Sequence, residues 1–305
     1  MNTQGSKVKV YCSVALIVSA LGFALYLLCY LLAGDGTDYF IASHPLPKLA
    51  NALAIAFLLF SASALVLIPK DALPTENFMQ GKPCFAAAFP IIGTLGAGAV
   101  GLSYYGMDEL TALFNGKGNL DATAICAILV MLGVLLSIAY YVLRVINHAG
   151  TASASIFTGL GPVALLTGLC GLTYFEADHH MNAPVKIALQ LAFIATMVFL
   201  TAEMRWVLDK AQPRRYLAGA SVALFANACA IAGAFPVFSD LAGTVHGTRI
   251  LGLTLLCLCN GIYIACRLIS FSKFCNAPSQ IEQNQEKEQN DGCQQQDPMA
   301  SQENN

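Results

Sequence analysis

The feature that most constrains this chain is a series of eight long apolar runs separated by short polar segments. The runs cover residues 10–33, 48–68, 84–104, 122–143, 154–174, 184–205, 216–236 and 248–271. A helix crosses a bilayer core with about 20 apolar residues. Because backbone groups in lipid must bond within their own segment, helix is the expected state of every run. The sequence therefore predicts an all-α, polytopic membrane helix bundle with eight transmembrane helices.

The composition fits a chain whose solvent is mostly lipid. Only 11% of the 305 residues are charged, compared with about 25% in soluble domains. The net charge of −2 gives no electrostatic reason to expect nucleic acid as a partner. Most of the eleven cysteines lie inside apolar runs, and none forms a C-x-x-C motif, which is typical of free, packed thiols. Nothing in the sequence predicts a cofactor.

Lysine and arginine residues predict how the chain is oriented in the membrane. With a cytoplasmic N-terminus, twelve of the sixteen fall in inside segments and four in outside segments, namely Lys48, Lys117, Lys186 and Arg249. We therefore expect a multi-pass protein of the cell membrane with both termini in the cytoplasm. The chain contains no N-x-S/T glycosylation acceptor, which fits a bacterial membrane.

The charged stretch TAEMRWVLDKAQPRRY, residues 201–216, follows the sixth run. We interpret it as a cytoplasmic surface loop with Trp206 in the interfacial aromatic belt. Its basic residues can meet anionic lipid headgroups: Lys210, Arg214 and Arg215. The alternative is a catalytic pair of Glu203 and Arg205. Because residues two apart on a helix point about 200° away from each other, these two cannot share one site.

The chain divides into an eight-span membrane domain, residues 1–275, and a tail, residues 276–305. The tail is rich in Gln, Asn and Glu and has almost no apolar residues. Such a segment cannot bury enough surface to offset its chain entropy. We expect a disordered cytoplasmic tail, to which a protein partner at the cytoplasmic face could bind.

Similar residues recur at matching depths in the two halves of the membrane domain. Lys48 matches Lys186, and Arg144 in AYYVLRVI matches Arg267 in IYIACRLI. Four spans in each half would give a parallel 4+4 repeat. The alternative is that apolar helices resemble one another by composition alone.

The outer loops carry acids and histidines that raise the question of a metal site. The densest group has the candidate ligands Glu176, Asp178, His179 and His180. Spacings of three or four residues could offer two ligands from one helical face. A closed site needs two more ligands, and a solvated acidic loop is the alternative.

Two asparagines are expected near the bilayer midplane in the last two spans. Asn227 and Asn260 each need a polar partner, because an unpaired carboxamide in hydrocarbon costs several kcal/mol. We predict that the two bond each other. The alternative is that they line a ligand pocket together with Cys229 and Cys257.

The architecture favours an integral membrane protein that binds or transports a small, weakly polar molecule. The third and fifth runs contain glycine and proline, which suit either close packing or a kinked cavity wall. The alternative function is a membrane sensor or assembly partner that acts through protein–protein contacts. No charged residue is expected near the middle of a span, which argues against a proton-coupled pump or voltage sensor. No catalytic constellation is found, which argues against an enzyme.

Overall fold

The computed structural model describes residues 3–34, 40–41, 43–68, 86–104, 106, 111–112, 115–116, 120–146, 152–176, 183–208, 210, 212–241 and 245–275. These residues form nine helices: α1 Thr3–Leu32, α2 Pro45–Leu67, α3 Ala88–Tyr104, α4 Ala122–Ile146, α5 Ala152–Thr158, α6 Leu160–Phe175, α7 Pro184–Val207, α8 Pro213–Leu241 and α9 Val245–Phe274. The predicted tail, 276–305, lies outside the described residues and stays a prediction.

The helices confirm a polytopic helical membrane bundle. In the described part of the chain, seven helical segments are long and apolar enough to cross a bilayer, and one of them, Ile156–Phe175, comprises the end of α5 and all of α6. The third predicted span is the shorter helix α3, with 17 residues, which is near the lower limit for spanning. The fifth span is broken at Gly159 into α5 and α6, just before Pro162, which cannot donate a backbone hydrogen bond.

Proline marks the beginning of three of the helices. Residues Pro45, Pro184 and Pro213 are the first residues of α2, α7 and α8. The first helical position needs no intrahelical N–H bond, and the fixed φ of proline already suits the helix. At the start of α2, His44 Nδ1 also accepts a hydrogen bond from the backbone N–H of Leu46 at 3.3 Å.

Six of the helices form a closed ring. In order around the ring, α3 packs on α4, α4 on α6, α6 on α7, α7 on α8, α8 on α9, and α9 on α3. The closest seam joins α4 and α6, where a Cβ added to Gly133 would lie 2.6 Å from Leu165 Cα. Small residues at this seam therefore allow the two backbones to approach closely.

Helices α1 and α2 pack on the outside of the ring, against α8. The Tyr11 hydroxyl of α1 lies 2.9 Å from Ser221 Oγ of α8. Arg214, at the start of α8, donates to the carbonyl oxygen of Ile68 at the end of α2. The Tyr216 ring stacks on Phe271, near the end of α9. The beginning of α1 and the end of α9 therefore share one end of the bundle, which we call the terminal face.

The structure corrects the interpretation of residues 201–216 as a surface loop. Helix α7 continues to Val207, and the side chain of Glu203 is 0% exposed. Arg205 points elsewhere and donates to Gln212 Oε1 at 2.9 Å, so Glu203 and Arg205 do not form a pair. The sequence pattern placed Glu203 in the loop because a carboxylate is costly in a membrane unless it has a partner.

The proposed 4+4 repeat is not confirmed by the packing. Helix α7 packs along α8, whereas the described residues of α2 and α3, their counterparts in the repeat, make at most weak contact. The similar sequences at the ends of α4 and α9 have another explanation: Arg144 and Arg267 both approach the carboxylate of Glu203.

Candidate functional site: a charged cluster at each end of the helix ring

The first cluster lies near the terminal face and is centred on Glu203. The Arg267 Nε–H donates to Glu203 Oε1 at 2.8 Å. The Tyr263 hydroxyl lies 2.7 Å from Oε1 and 2.8 Å from Oε2, so its proton can be donated to either oxygen. Arg144 Nη2 stands 3.9 Å from Oε1. We call Glu203, Arg267, Tyr263 and Arg144 the terminal cluster.

The terminal cluster crosses the inside of the ring. Its residues come from α4, α7 and α9, and no two of these helices are neighbours in the ring. Aromatic side chains fill the space around it, namely Tyr140, Tyr141, Phe199, Tyr216 and Phe271. Because these rings exclude water, the ion pair lies in a low-dielectric setting in which its hydrogen bonds are strong and an unpaired charge is costly.

The second cluster lies at the other end of the ring, which we call the opposite face. Arg249 Nη2 donates to the Ser103 carbonyl at 2.7 Å and lies 4.1 Å, by its Cζ, from the centre of the Tyr104 ring. Its Nη1 is 4.0 Å from Glu176 Oε1. Lys186, only 2% exposed, donates to the Glu176 carbonyl at 2.8 Å. We call Arg249, Glu176, Lys186 and Tyr104 the opposite cluster.

A small cavity lies within the opposite cluster. Its volume is about 10 Å³, which is room for about one water molecule. Helices α3, α6, α7 and α9 contribute its walls, which also include Thr173, Leu189 and Leu253. The cavity is therefore surrounded by residues of the opposite cluster and their neighbours on these four helices.

Uncharged polar groups lie between the two clusters. Asn227 of α8 is 1% exposed, and its Nδ2 donates to Thr196 Oγ1 of α7 at 2.8 Å and to the Ala223 carbonyl at 2.7 Å. Asn227 Oδ1 has no hydrogen-bond partner among the described residues. Asn260 of α9 is 4% exposed. We call Asn227, Thr196 and Asn260 the middle layer.

On both α7 and α9, residues of the two clusters and of the middle layer lie along one helix face. On α7, one stripe with spacings of three and four residues contains Lys186, Leu189, Phe193, Thr196, Leu200 and Glu203. On α9, a stripe of the same kind contains Arg249, Leu253, Leu256, Asn260, Tyr263 and Arg267. Such spacing keeps side chains on one helix face. Seven residues rise about 10 Å, which is the distance along α7 from Thr196 to Glu203.

The four candidate binding residues do not form one group. The expected bond between Asn227 and Asn260 is not formed, because Asn227 donates to Thr196 and Ala223 while its oxygen has no partner. Cys229 belongs to a separate apolar cluster with α1 and α2, whereas Cys257 lies in the main core. Whether any of these residues binds a ligand stays a prediction.

The candidate metal ligands are mostly outside the described residues. This is true of Asp178, His179 and His180. Glu176 is the C-cap residue that follows α6, and its side chain faces Arg249. Within the described residues, no group of three or more His, Cys, Asp or Glu side chains could hold a metal ion.

Sequence reasoning missed the pairing of Glu203 with Arg267 and Arg144. The signal was present as a repeated Y-x-x-x-R pattern, Tyr140 with Arg144 and Tyr263 with Arg267. Both arginines approach the same carboxylate oxygen. The matched arginines thus reflect a common contact rather than an established duplication.

The helices and their buried polar contacts define a multi-pass integral membrane protein. No known protein family, characterised protein or solved structure matches the chain.

Proposed function

We propose that this protein binds and transports a small, weakly polar molecule through the interior of the six-helix ring. The observation that carries the proposal is a charged cluster at each end of the ring, with only uncharged groups in the middle layer between them. Alternating access requires a closure at each face that opens while the other stays shut. The two clusters are suited to this role because each joins helices from across the ring.

The terminal cluster would close the path toward the side that we expect to be cytoplasmic. Breaking the contact between Glu203 and Arg267 would release α7 from α9 at this end. The opposite cluster would act in the same way through Arg249 and Glu176. Ion pairs suit a closure of this kind, because they have discrete formed and broken arrangements on which a ligand can act.

Sided cysteine labelling tests the proposal without knowledge of the substrate. Asn260→Cys places a thiol in the middle layer, and mass spectrometry reads its modification separately from the native cysteines. A membrane-impermeant maleimide is added either to intact cells or to inside-out vesicles. Glu203→Gln and Arg249→Gln each weaken one cluster.

The proposal expects Glu203→Gln to raise labelling of residue 260 from the terminal face, and Arg249→Gln to raise it from the opposite face. Arg205→Gln is the matched control, because it removes a terminal-face charge whose side chain, among the described residues, donates only to Gln212. Equal labelling in all variants, or access from the same face in both cluster variants, would contradict a gated path.

A further inference from the structure

The side chain of Asn227 has a fixed orientation that leaves one acceptor unused. The Ala223 carbonyl can only accept a hydrogen bond, so the group that faces it at 2.7 Å must be the amide nitrogen. Exchanging the nitrogen and oxygen of the amide would place two acceptors against each other. Asn227 Oδ1 is therefore the atom without a partner, and a buried acceptor without a donor costs free energy until one arrives.

The packing beside Asn227 leaves a gap of about one methyl group on the α9 side. Gly261 lies opposite, and a Cβ added to it would be in ordinary van der Waals contact with Asn227 Cβ, at 3.8 Å. An occupant larger than a methyl group therefore requires α8 and α9 to move apart. Both Nδ2 hydrogens are used, one on α7 and one within α8. An occupant between α8 and α9 would therefore meet the oxygen rather than the nitrogen.

The charges of the two clusters restrict the kind of occupant. The nearest charged side chain on the α7 stripe, Glu203, is seven residues from Thr196, or about 10 Å along the helix. A charged ligand in the middle layer would have no counter-ion at contact distance, which is expensive in a low-dielectric interior. A neutral ligand avoids this cost.

We propose that the middle layer is the ligand-binding site and that it takes a small neutral molecule which donates a hydrogen bond, through a hydroxyl or an amide N–H, to Asn227 Oδ1. This inference rests on the proposed function and names the substrate class for the same path. A single trapped water would satisfy the oxygen by the same chemistry. The test therefore has to separate a water from a small organic donor.

The isomers 1-butanol and diethyl ether make that separation. They have the same formula, but only the alcohol donates a hydrogen bond. Apparent dissociation constants are measured from the shift of the thermal unfolding midpoint of the purified full-length protein, over a range of each compound. We expect the alcohol to bind roughly five- to a hundredfold more tightly than the ether. This ratio corresponds to the free energy that a buried acceptor gains when it receives a hydrogen bond.

Two substitutions connect the preference to the proposed atom. Asn227→Leu should abolish it, and Asn227→Ala is used in the same way if the leucine variant does not fold. Thr196→Val is the matched control, because it removes the acceptor for Nδ2 and leaves Oδ1 in place, so the preference should persist. Both substitutions also remove the hydrogen bonds to Thr196 and Ala223, so each midpoint shift is measured relative to the same variant without ligand.

Two results would overturn the inference. Equal binding of the two isomers to the wild-type protein would mean that a water, or nothing, occupies the site. A preference that survives loss of the Asn227 carboxamide would place the donor contact elsewhere. Either result leaves the sided labelling of residue 260 unaffected, so failure of the substrate class is distinguishable from failure of the transport proposal.

Discussion

Replacing Arg267 with glutamine should destabilise the protein far more than the same change at Arg144. Arg267 Nε donates directly to Glu203 Oε1 at 2.8 Å, and its side chain is 3% exposed. Removing one partner of a buried ion pair typically costs about 3–5 kcal/mol. The Tyr263 hydroxyl remains bonded to the carboxylate, so we expect a loss near the lower limit, about 3 kcal/mol.

Arg144 makes a much weaker contact with the same carboxylate. Its Nη2 is 3.9 Å from Oε1, beyond hydrogen-bond distance, and its side chain is 11% exposed. We expect Arg144→Gln to cost about 1 kcal/mol, the usual net contribution of one buried polar contact, because Glu203 keeps Arg267 as its counter-ion. The difference of about 2 kcal/mol between the variants corresponds to a roughly 25-fold difference in the unfolding equilibrium constant.

The assay is reversible unfolding of the purified protein in mixed micelles, followed by near-ultraviolet circular dichroism. A double-mutant cycle with Glu203→Gln isolates each pair. We expect a coupling above about 1.5 kcal/mol for Arg267 and below about 1 kcal/mol for Arg144. The half-buried Arg205, which lies outside the cluster, provides the control variant Arg205→Gln. An equal or larger loss at Arg144 would refute the assignment of Arg267 as the principal partner of Glu203.

Three further changes test separate features of the fold. Gly161→Ala should cost about 1–3 kcal/mol of unfolding free energy through overpacking, because its new Cβ would lie 2.6 Å from an α4 backbone nitrogen; Gly106→Ala, with nothing within 4 Å, should be close to neutral. Tyr263→Phe should cost about 1–3 kcal/mol, because Glu203 loses a buried donor; an unchanged unfolding midpoint would contradict this. Deletion of 278–305 should leave membrane insertion and the midpoint unchanged, whereas a large loss would mean that the tail packs on the bundle.

The membrane bundle could be predicted from the sequence because lipid permits few alternatives. An apolar run of sufficient length must form a helix, and proline or glycine marks several of its ends. The fifth span is an exception: its apolar run is continuous, but the helix is broken at Gly159. Hydropathy does not report such a break, because it averages over the residues on either side.

The partners of the buried polar groups could not be predicted in the same way. The three- and four-residue spacing on α7 places Thr196 and Glu203 on one face, and this was readable from the sequence. It does not say which helix lies opposite. The short loop between α8 and α9 favours a bond from Asn227 to α9, but α8 also lies beside α7, where the Thr196 hydroxyl accepts the hydrogen bond.

The most direct test of a gated ring is the distance across each face, measured by pulsed electron paramagnetic resonance in lipid nanodiscs. Exposed positions carry the spin labels, with Ile146 and Lys273 at the terminal face and Ile187 and Leu251 at the opposite face. We predict that Glu203→Gln lengthens the terminal-face distance by more than about 2 Å, the scale of a domain rearrangement, while the opposite-face distance stays the same or shortens. If neither distance changes, or if both lengthen together, alternating closure by the two clusters is contradicted.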